Sequence, residues 1–177
     1  MFENIKADIR RLGHPKSWWI ILRGLLSQGF QAILVYRVFH WLREKKIPAQ
    51  PFRFIIERFI EITTGISIPA ECRIGKGLRI HHFGGIILHP FVKIGENCTM
   101  YHCVTIGDRG GYGGAADIGD NVLIGAGAKI IGEITIGQNC RIGANAVVNR
   151  HMPDNSVAFG NPCVIKKREA HSGDRKQ

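Results

Sequence analysis

From Ile94 onward the chain places one large apolar residue at every sixth position: Ile94, Met100, Ile106, Tyr112, Ile118, Ile124, Ile130, Ile136, Ile142 and Val148. Only Tyr112 departs from an aliphatic or methionine side chain. An α-helix repeats at 3.6 residues and an amphipathic strand at 2, so neither produces this period. Two residues ahead of each key position stands a smaller or branched one, among them Val92, Cys98, Val104, Ala116, Val122, Ala128, Cys140 and Ala146. Glycine follows the key residue at Gly95, Gly107, Gly119, Gly125, Gly137 and Gly143, and Asn recurs at Asn97, Asn121, Asn139 and Asn145. Both residue types tolerate left-handed backbone, which suits a repeated corner. The pattern predicts a triangular solenoid, mainly β. Each six-residue unit is one short strand plus a corner, three units close a coil, and stacked coils form parallel strands.

The frame extends upstream through Ile62, Ile68, Ile74, Ile80 and Ile86, but Ile86 is two residues out of phase with Leu88 and Ile94. Something extra is therefore inserted after Ile80, where the chain reads His81-His82-Phe83-Gly84-Gly85. Between Gly107 and Ile118 the segment Asp108-Arg109-Gly110-Gly111-Tyr112-Gly113-Gly114 keeps the count but loses the corner chemistry. It is expected to project as a loop, and loops on a rigid scaffold often carry function.

Residues 1–61 lack the period and read as an N-terminal α-helical cap, with helices over Phe2–Leu12, Trp18–Lys45 and Phe52–Thr63 broken at Pro15, Pro48 and Pro51. In the second, Ile21, Leu25, Gln28, Ala32, Val35 and Phe39 trace one apolar face. A cap of this kind would cover the open first coil. The division expected is 1–61 cap, 62–165 solenoid and catalytic domain, and 166–177 basic tail.

The net charge of +10, from 24 Lys and Arg against 14 Asp and Glu, favours anionic partners. Nucleic acid is not expected, because no recognition motif accompanies the charge. Five cysteines without metal spacing or a signal peptide fit a reducing cytosol, and Cys98 and Cys140 fall on interior positions. Trp18 to Phe39 is interrupted by Arg23, Gln28, Gln31 and Arg37, which makes a membrane span unfavourable. Contact with a membrane surface through Trp18, Trp19 and nearby basic residues stays open. The location expected is the cytoplasm, including the inner face of the membrane.

These residues resemble the hexapeptide-repeat acyltransferases, and in detail the serine O-acetyltransferase branch. The likeness runs from Ala7-Asp8-Ile9-Arg10 through Tyr36-Arg37-Val38-Phe39-His40-Trp41, then Ile74-Gly75-Lys76-Gly77, Val104-Thr105-Ile106-Gly107 and Ile124-Gly125-Ala126-Gly127-Ala128-Lys129-Ile130, to Gly160-Asn161-Pro162. The resemblance implies a left-handed parallel β-helix, a homotrimer or dimer of trimers, and acetyl-CoA as co-substrate in a groove between neighbouring coils. No metal is expected. It places the general base at His82, for direct attack of an acceptor hydroxyl on the thioester. His102 would assist or position that base from the adjacent subunit. The donor path would follow Gly107, Gly125, Ala126 and Ala144, small so that a pantetheine chain can lie flat. Lys129, Arg141, Lys166 or Lys167 would meet the coenzyme phosphates.

The acceptor positions depart from the family. Its carboxylate behind the base falls at Ser67, its acidic residue before the base at His81, its Arg-His carboxylate clamp at Gly114-Ala115, and its Asp-Pro at His14-Pro15. Loss of a bidentate clamp should remove most recognition of an amino acid. With the His81-His82 loop and His102, the chain looks more like the O-acetyltransferases of exopolysaccharide and colanic-acid clusters. The expected acceptor is then a free or lipid-linked saccharide, held by His81, Tyr101, Asp108 and Arg109. The alternatives are a serine O-acetyltransferase of cysteine biosynthesis, and a non-catalytic or metal-binding β-helix scaffold using His81, His82 and His102.

Overall fold

The computed structural model describes residues 1–12, 18–110 and 113–168. The expectations attached to His14, Pro15, Tyr112 and the tail after Glu169 lie outside these residues.

Four helices precede the coil: α1 (Phe2–Arg10), α2 (Trp18–Leu25), α3 (Gln28–Glu44) and α4 (Gln50–Thr64). The single helix expected over Trp18–Lys45 is two, because Ser27 takes an extended backbone and its hydroxyl accepts from Phe30 N, capping α3. The buried stripe of α3 is correspondingly Phe30, Ala32, Ile33, Tyr36 and Phe39, with Arg37 among them. It differs from the expected face at Gln28 and Val35. Gly29 lets α3 come close to the first coil, since a Cβ there would stand 2.9 Å from Ile80.

The solenoid runs coil by coil in threes. The first coil holds β1 (Ile66–Ser67), β2 (Arg73–Ile74) and β3 (Arg79–Ile80), and the second β4 (Ile86–Leu88), β5 (Lys93–Ile94) and β6 (Thr99–Met100). The third holds β7 (Thr105–Gly107), β8 (Asp117–Ile118) and β9 (Leu123–Ile124); the fourth holds β10 (Lys129–Ile131), β11 (Thr135–Ile136) and β12 (Arg141–Ile142). β13 (Val147–Val148), β14 (Ser156–Phe159) and β15 (Val164–Lys167) close it. Strands three apart pair in parallel up to β13, giving a first face of β1-β4-β7-β10-β13, a second of β2-β5-β8-β11, and a third of β3-β6-β9-β12, to which β14 adds in parallel and β15 antiparallel. The whole is a left-handed parallel β-helix of about five turns with an N-terminal helical region.

The key aliphatics stack along the axis. Ile106, Ile124, Ile130, Ile136, Ile142 and Val148 are all fully buried, and Cys98, Val104, Ala116, Ala128, Cys140 and Ala146 fill the narrower positions between them. Burial pushes the Cys72 and Cys98 thiols up to about 12 and about 11, so both behave as small hydrophobes. The corners behave as the composition requires: Asn97, Asn121, Asn139, Asn145 and Asn155 all have φ near +56°.

Two irregularities position the site. Ile80 pairs with Met100, twenty residues on instead of eighteen, so the extra pair of residues lies in His81–Gly85. Ile106 pairs with Ile130, twenty-four residues on, so a full six-residue unit is looped out after Gly107. The upstream frame is corrected at Ile62. That residue is on α4 and 75% exposed, because the helix continues to Thr64 before Gly65 (φ 65°) ends it. At the other end Lys166 and Lys167 belong to β15, which turns back antiparallel on β14.

The cap is fastened by buried polar bonds. Arg37 donates to both oxygens of Asp8 at 2.9 and 3.1 Å and to Ile74 O and Gly75 O, each at 2.6 Å. Asp8 also accepts from Gly77 N and Leu78 N. Tyr36 Oη donates to Cys72 O and accepts from Ile74 N. Arg53 holds Glu71 with two 2.8 Å bonds, tying α4 to the same coil and keeping the Glu71 carboxyl below its usual range.

Candidate active site at the interrupted corner

Ile80, Met100, Ile124 and Ile142 are stacked neighbours on the third face. The second residue after each turns the corner toward the first face, which puts His82, His102, Ala126 and Ala144 in one column. Backbone bonds hold the column together, from Cys103 N to Gly84 O, Gly127 N to His102 O and Asn145 N to Ala126 O. The two histidines stand above two alanines. The column therefore passes from the imidazoles to small side chains further along the coil.

His82 is exposed and has φ +66°, a conformation in which a non-glycine residue is uncommon. Its loop is fastened on both sides, since Gly84 N donates to Thr64 O at 2.9 Å and Ile86 N to Gly65 O at 3.1 Å. The His102 ring meets that of His82 edge-on at 5.7 Å between centroids. His81 stacks on Tyr101 at 4.9 Å and 11°. The expected histidine pair thus forms within one chain, with His102 beside His82 rather than brought to it only by an adjacent subunit. His102 Nδ1 is buried with no hydrogen-bond partner among the described residues, so one polar atom in this corner still needs a donor or acceptor. Burial first, then Arg79, His82 and Arg11, lower the His81 pKa. Ser67 lies on the first face in register with Ile87, and among the described residues no hydrogen bond joins it to His82.

The remaining expected site residues are distributed unevenly. Asp108 and Arg109 follow β7, at the far edge of the first face from His82, and Arg109 donates to Asn149 O. Within one protomer they do not join His81 and Tyr101. Lys129 donates to Cys103 O at 2.7 Å and Thr105 Oγ1 at 3.1 Å, which spends most of its donors on the coil above. Arg141, Val157 and Lys166 stand side by side on the third face, with Lys166 Nζ over the Phe159 ring. Gly125 owes its identity to coil stacking, because a Cβ would lie 2.7 Å from Ala144 N. Gly107 differs, for a Cβ there would meet only Ile131 Cδ1 at 3.9 Å. Nothing in the coil demands glycine at 107, so the open position suits an extended chain such as pantetheine. Sequence reasoning missed Arg79 and Arg11. Arg11 Nη1 donates to Gly77 O and Cys98 O, and its Nη2 to Thr99 Oγ1, and neither arginine sits in a motif. Among the described residues no group of three or more His, Cys, Asp or Glu side chains is placed to hold a metal ion, and no helix is long and apolar enough to cross a membrane.

The family model "Bacterial transferase hexapeptide (six repeats)" matches residues 115–150. The chain is 37% identical over 168 residues to the serine acetyltransferase of Synechococcus elongatus, covering 92% of this chain and 67% of that protein. It is 39% identical over 147 residues to the serine acetyltransferase of Helicobacter pylori, covering 80% and 82% respectively. Serine acetyltransferase from Brucella abortus superposes with a TM-score of 0.84 at 30% identity, over 94% of this chain and 69% of that one. The Neisseria gonorrhoeae serine acetyltransferase in complex with serine gives 0.82 at 30% identity, over 92% and 68%. Fold and corner histidines together define a hexapeptide transferase. The chain belongs to the serine acetyltransferase family of these enzymes and is an acetyl-CoA-dependent O-acetyltransferase.

The saccharide acceptor expected from the missing clamp is corrected by these relatives, which are serine acetyltransferases. The physical reason lies in the inference itself. Absence of an Arg-His pair at Gly114-Ala115 excludes cations at those two positions, and excludes none that another strand delivers.

Proposed function

We propose that the protein transfers the acetyl group of acetyl-CoA to the hydroxyl of L-serine, as a serine O-acetyltransferase of cysteine biosynthesis. The observation that carries this reading is the exposed His82 imidazole at the head of a column that continues through Ala126 and Ala144, in a chain related to serine acetyltransferases. The coenzyme thioester supplies an activated acyl carbon. A serine hydroxyl is too weakly acidic to attack it unaided; His82 takes the proton as the new C–O bond forms, the C–S bond then breaks, and the coenzyme leaves as its thiol carrying that proton. The edge contact of His102 and the fastened Gly84 backbone hold that ring in place. Ala126 and Ala144 leave room for the pantetheine arm along the His82 corner, and Gly107 leaves an open position at the other edge of the first face; Arg141, Lys166 and Lys167 lie toward the far coils, where the coenzyme phosphates would be met.

Copies of the chain assemble through the apolar side of α4, as the family's trimers or dimers of trimers imply. Phe52, Ile55, Phe59 and Ile62 there are 63–75% exposed, an apolar stripe that supports association. The test of function is release of free thiol from acetyl-CoA in the presence of L-serine, with O-acetylserine identified as product. No turnover at millimolar serine would refute the assignment.

A further inference from the structure

The outer side of the third face, immediately before the base, carries a positive surplus that the coil does not use. Arg79 and His81 are two residues apart on one strand and so face the same way. Arg79 is in register with Thr99 and His81 stacks on Tyr101. The Arg11 guanidinium is fixed beside them by its bonds to Thr99 Oγ1 at 3.0 Å, Gly77 O at 2.7 Å and Cys98 O at 3.0 Å. Arg79 is half-buried and, among the described residues, its guanidinium has neither a hydrogen bond nor an ion pair. The nearest acid, Asp8, is already taken by Arg37, Gly77 N and Leu78 N. Burial first, and then the Arg79 charge, make the charged form of both Arg11 and His81 less favourable.

We infer that Arg79, with Arg11 and His81 beside it, is an anion subsite that takes the carboxylate of the acceptor. This deepens the serine reading and rests on it. The position suits an acceptor whose hydroxyl is at His82, since the His81 ring beside Arg79 stands 6.3 Å from that of His82. It does not suit the donor's phosphates. Those lie a whole pantetheine arm from the thioester, several coils away at about 4.8 Å per coil. The site where the family's clamp falls is filled in this chain, because the Glu133 carboxyl takes the space a side chain at Gly114 would need, with Arg109 and Arg150 lining the same cavity beside it.

The experiment compares full-length wild type, Arg79→Lys and Arg79→Ala. Arg79→Ala should raise the KM for L-serine roughly 10–100-fold, the loss of one charge-assisted bond. The KM for acetyl-CoA and the melting temperature should not move, and Arg79→Lys should recover part of the loss. L-serine methyl ester, which lacks the anion, should be turned over equally by all three. An unchanged serine KM, an equal effect on ester and serine, or a rise in acetyl-CoA KM instead would overturn the subsite. Calorimetric titration with L-glycerate provides an arm independent of turnover. Arg79-dependent glycerate binding in a protein that does not acetylate serine would sink the serine reading and keep the subsite. Serine turnover with no Arg79 dependence would do the reverse.

Discussion

Replacing Arg37 with methionine should nearly detach the helical cap from the solenoid. The guanidinium is 2% exposed and its partner carboxylate fully buried. Removing it strands the Asp8 charge, which keeps only the Gly77 and Leu78 amides, and leaves Ile74 O and Gly75 O without their donor. Breaking a buried pair from one side costs about 3–5 kcal/mol, much of a domain's total of about 5–15. For a chain of this size that corresponds to a fall in melting temperature of about 6–20 °C. The double variant Asp8→Asn with Arg37→Met removes both charges while an amide oxygen still serves Gly77 N and Leu78 N. It should recover most of the loss, so the two substitutions are strongly non-additive. Thermal and urea unfolding followed by circular dichroism measure both quantities. A single-variant cost below about 1 kcal/mol, or a double variant whose cost is the sum of the singles, would refute the reasoning.

Thiol labelling at pH 8 should modify Cys103 quickly in the native protein and leave Cys72 and Cys98 protected until unfolding, since only Cys103 is exposed; more than one fast thiol would contradict the burial described. Gly75→Ala should destabilise by about 1–3 kcal/mol, because its Cβ would be 2.7 Å from the Gly95 carbonyl carbon. Gly107→Leu should leave the melting temperature nearly unchanged and raise the KM for acetyl-CoA, and a large loss of stability there would show that the coil, not a ligand, requires the glycine. The depressed His81 pKa means the unfolded chain binds a proton that the folded chain resists. Stability contributed by this residue is therefore constant above about pH 7 and falls as pH drops through the ordinary histidine value of about 6.5. His81→Gln should flatten the stability profile between pH 7 and 5, and parallel profiles in the two proteins would sink the point.

The solenoid was legible because its constraint is local and repeated. Each six-residue unit must bury one aliphatic and turn one corner, so Ile94 to Val148 and the Asn corners could be read directly. The interruption at His81–Gly85 was legible for the same reason, as an error in the count. The cap was read less well. Its apolar run crosses Ser27 without a break in hydrophobicity, although a Ser beside Gly24 and Gly29 was a stop signal available to use. Ile62 fits the six-residue frame by coincidence while the α4 helix continues through it. What stayed hidden is non-local: Asp8 meeting Arg37, Arg11 reaching Thr99, and His102 falling beneath His82 all depend on which coil stacks on which. The saccharide reading failed at that level, by asking two positions to speak for a surface assembled from several strands.

The central claim is that His82 removes the proton from a serine hydroxyl, and the most direct test is the turnover of His82→Ala with saturating L-serine and acetyl-CoA. The account predicts a kcat lower by about 10²–10⁴ with calorimetric acetyl-CoA binding and melting temperature retained. A kcat equal to wild type would contradict it.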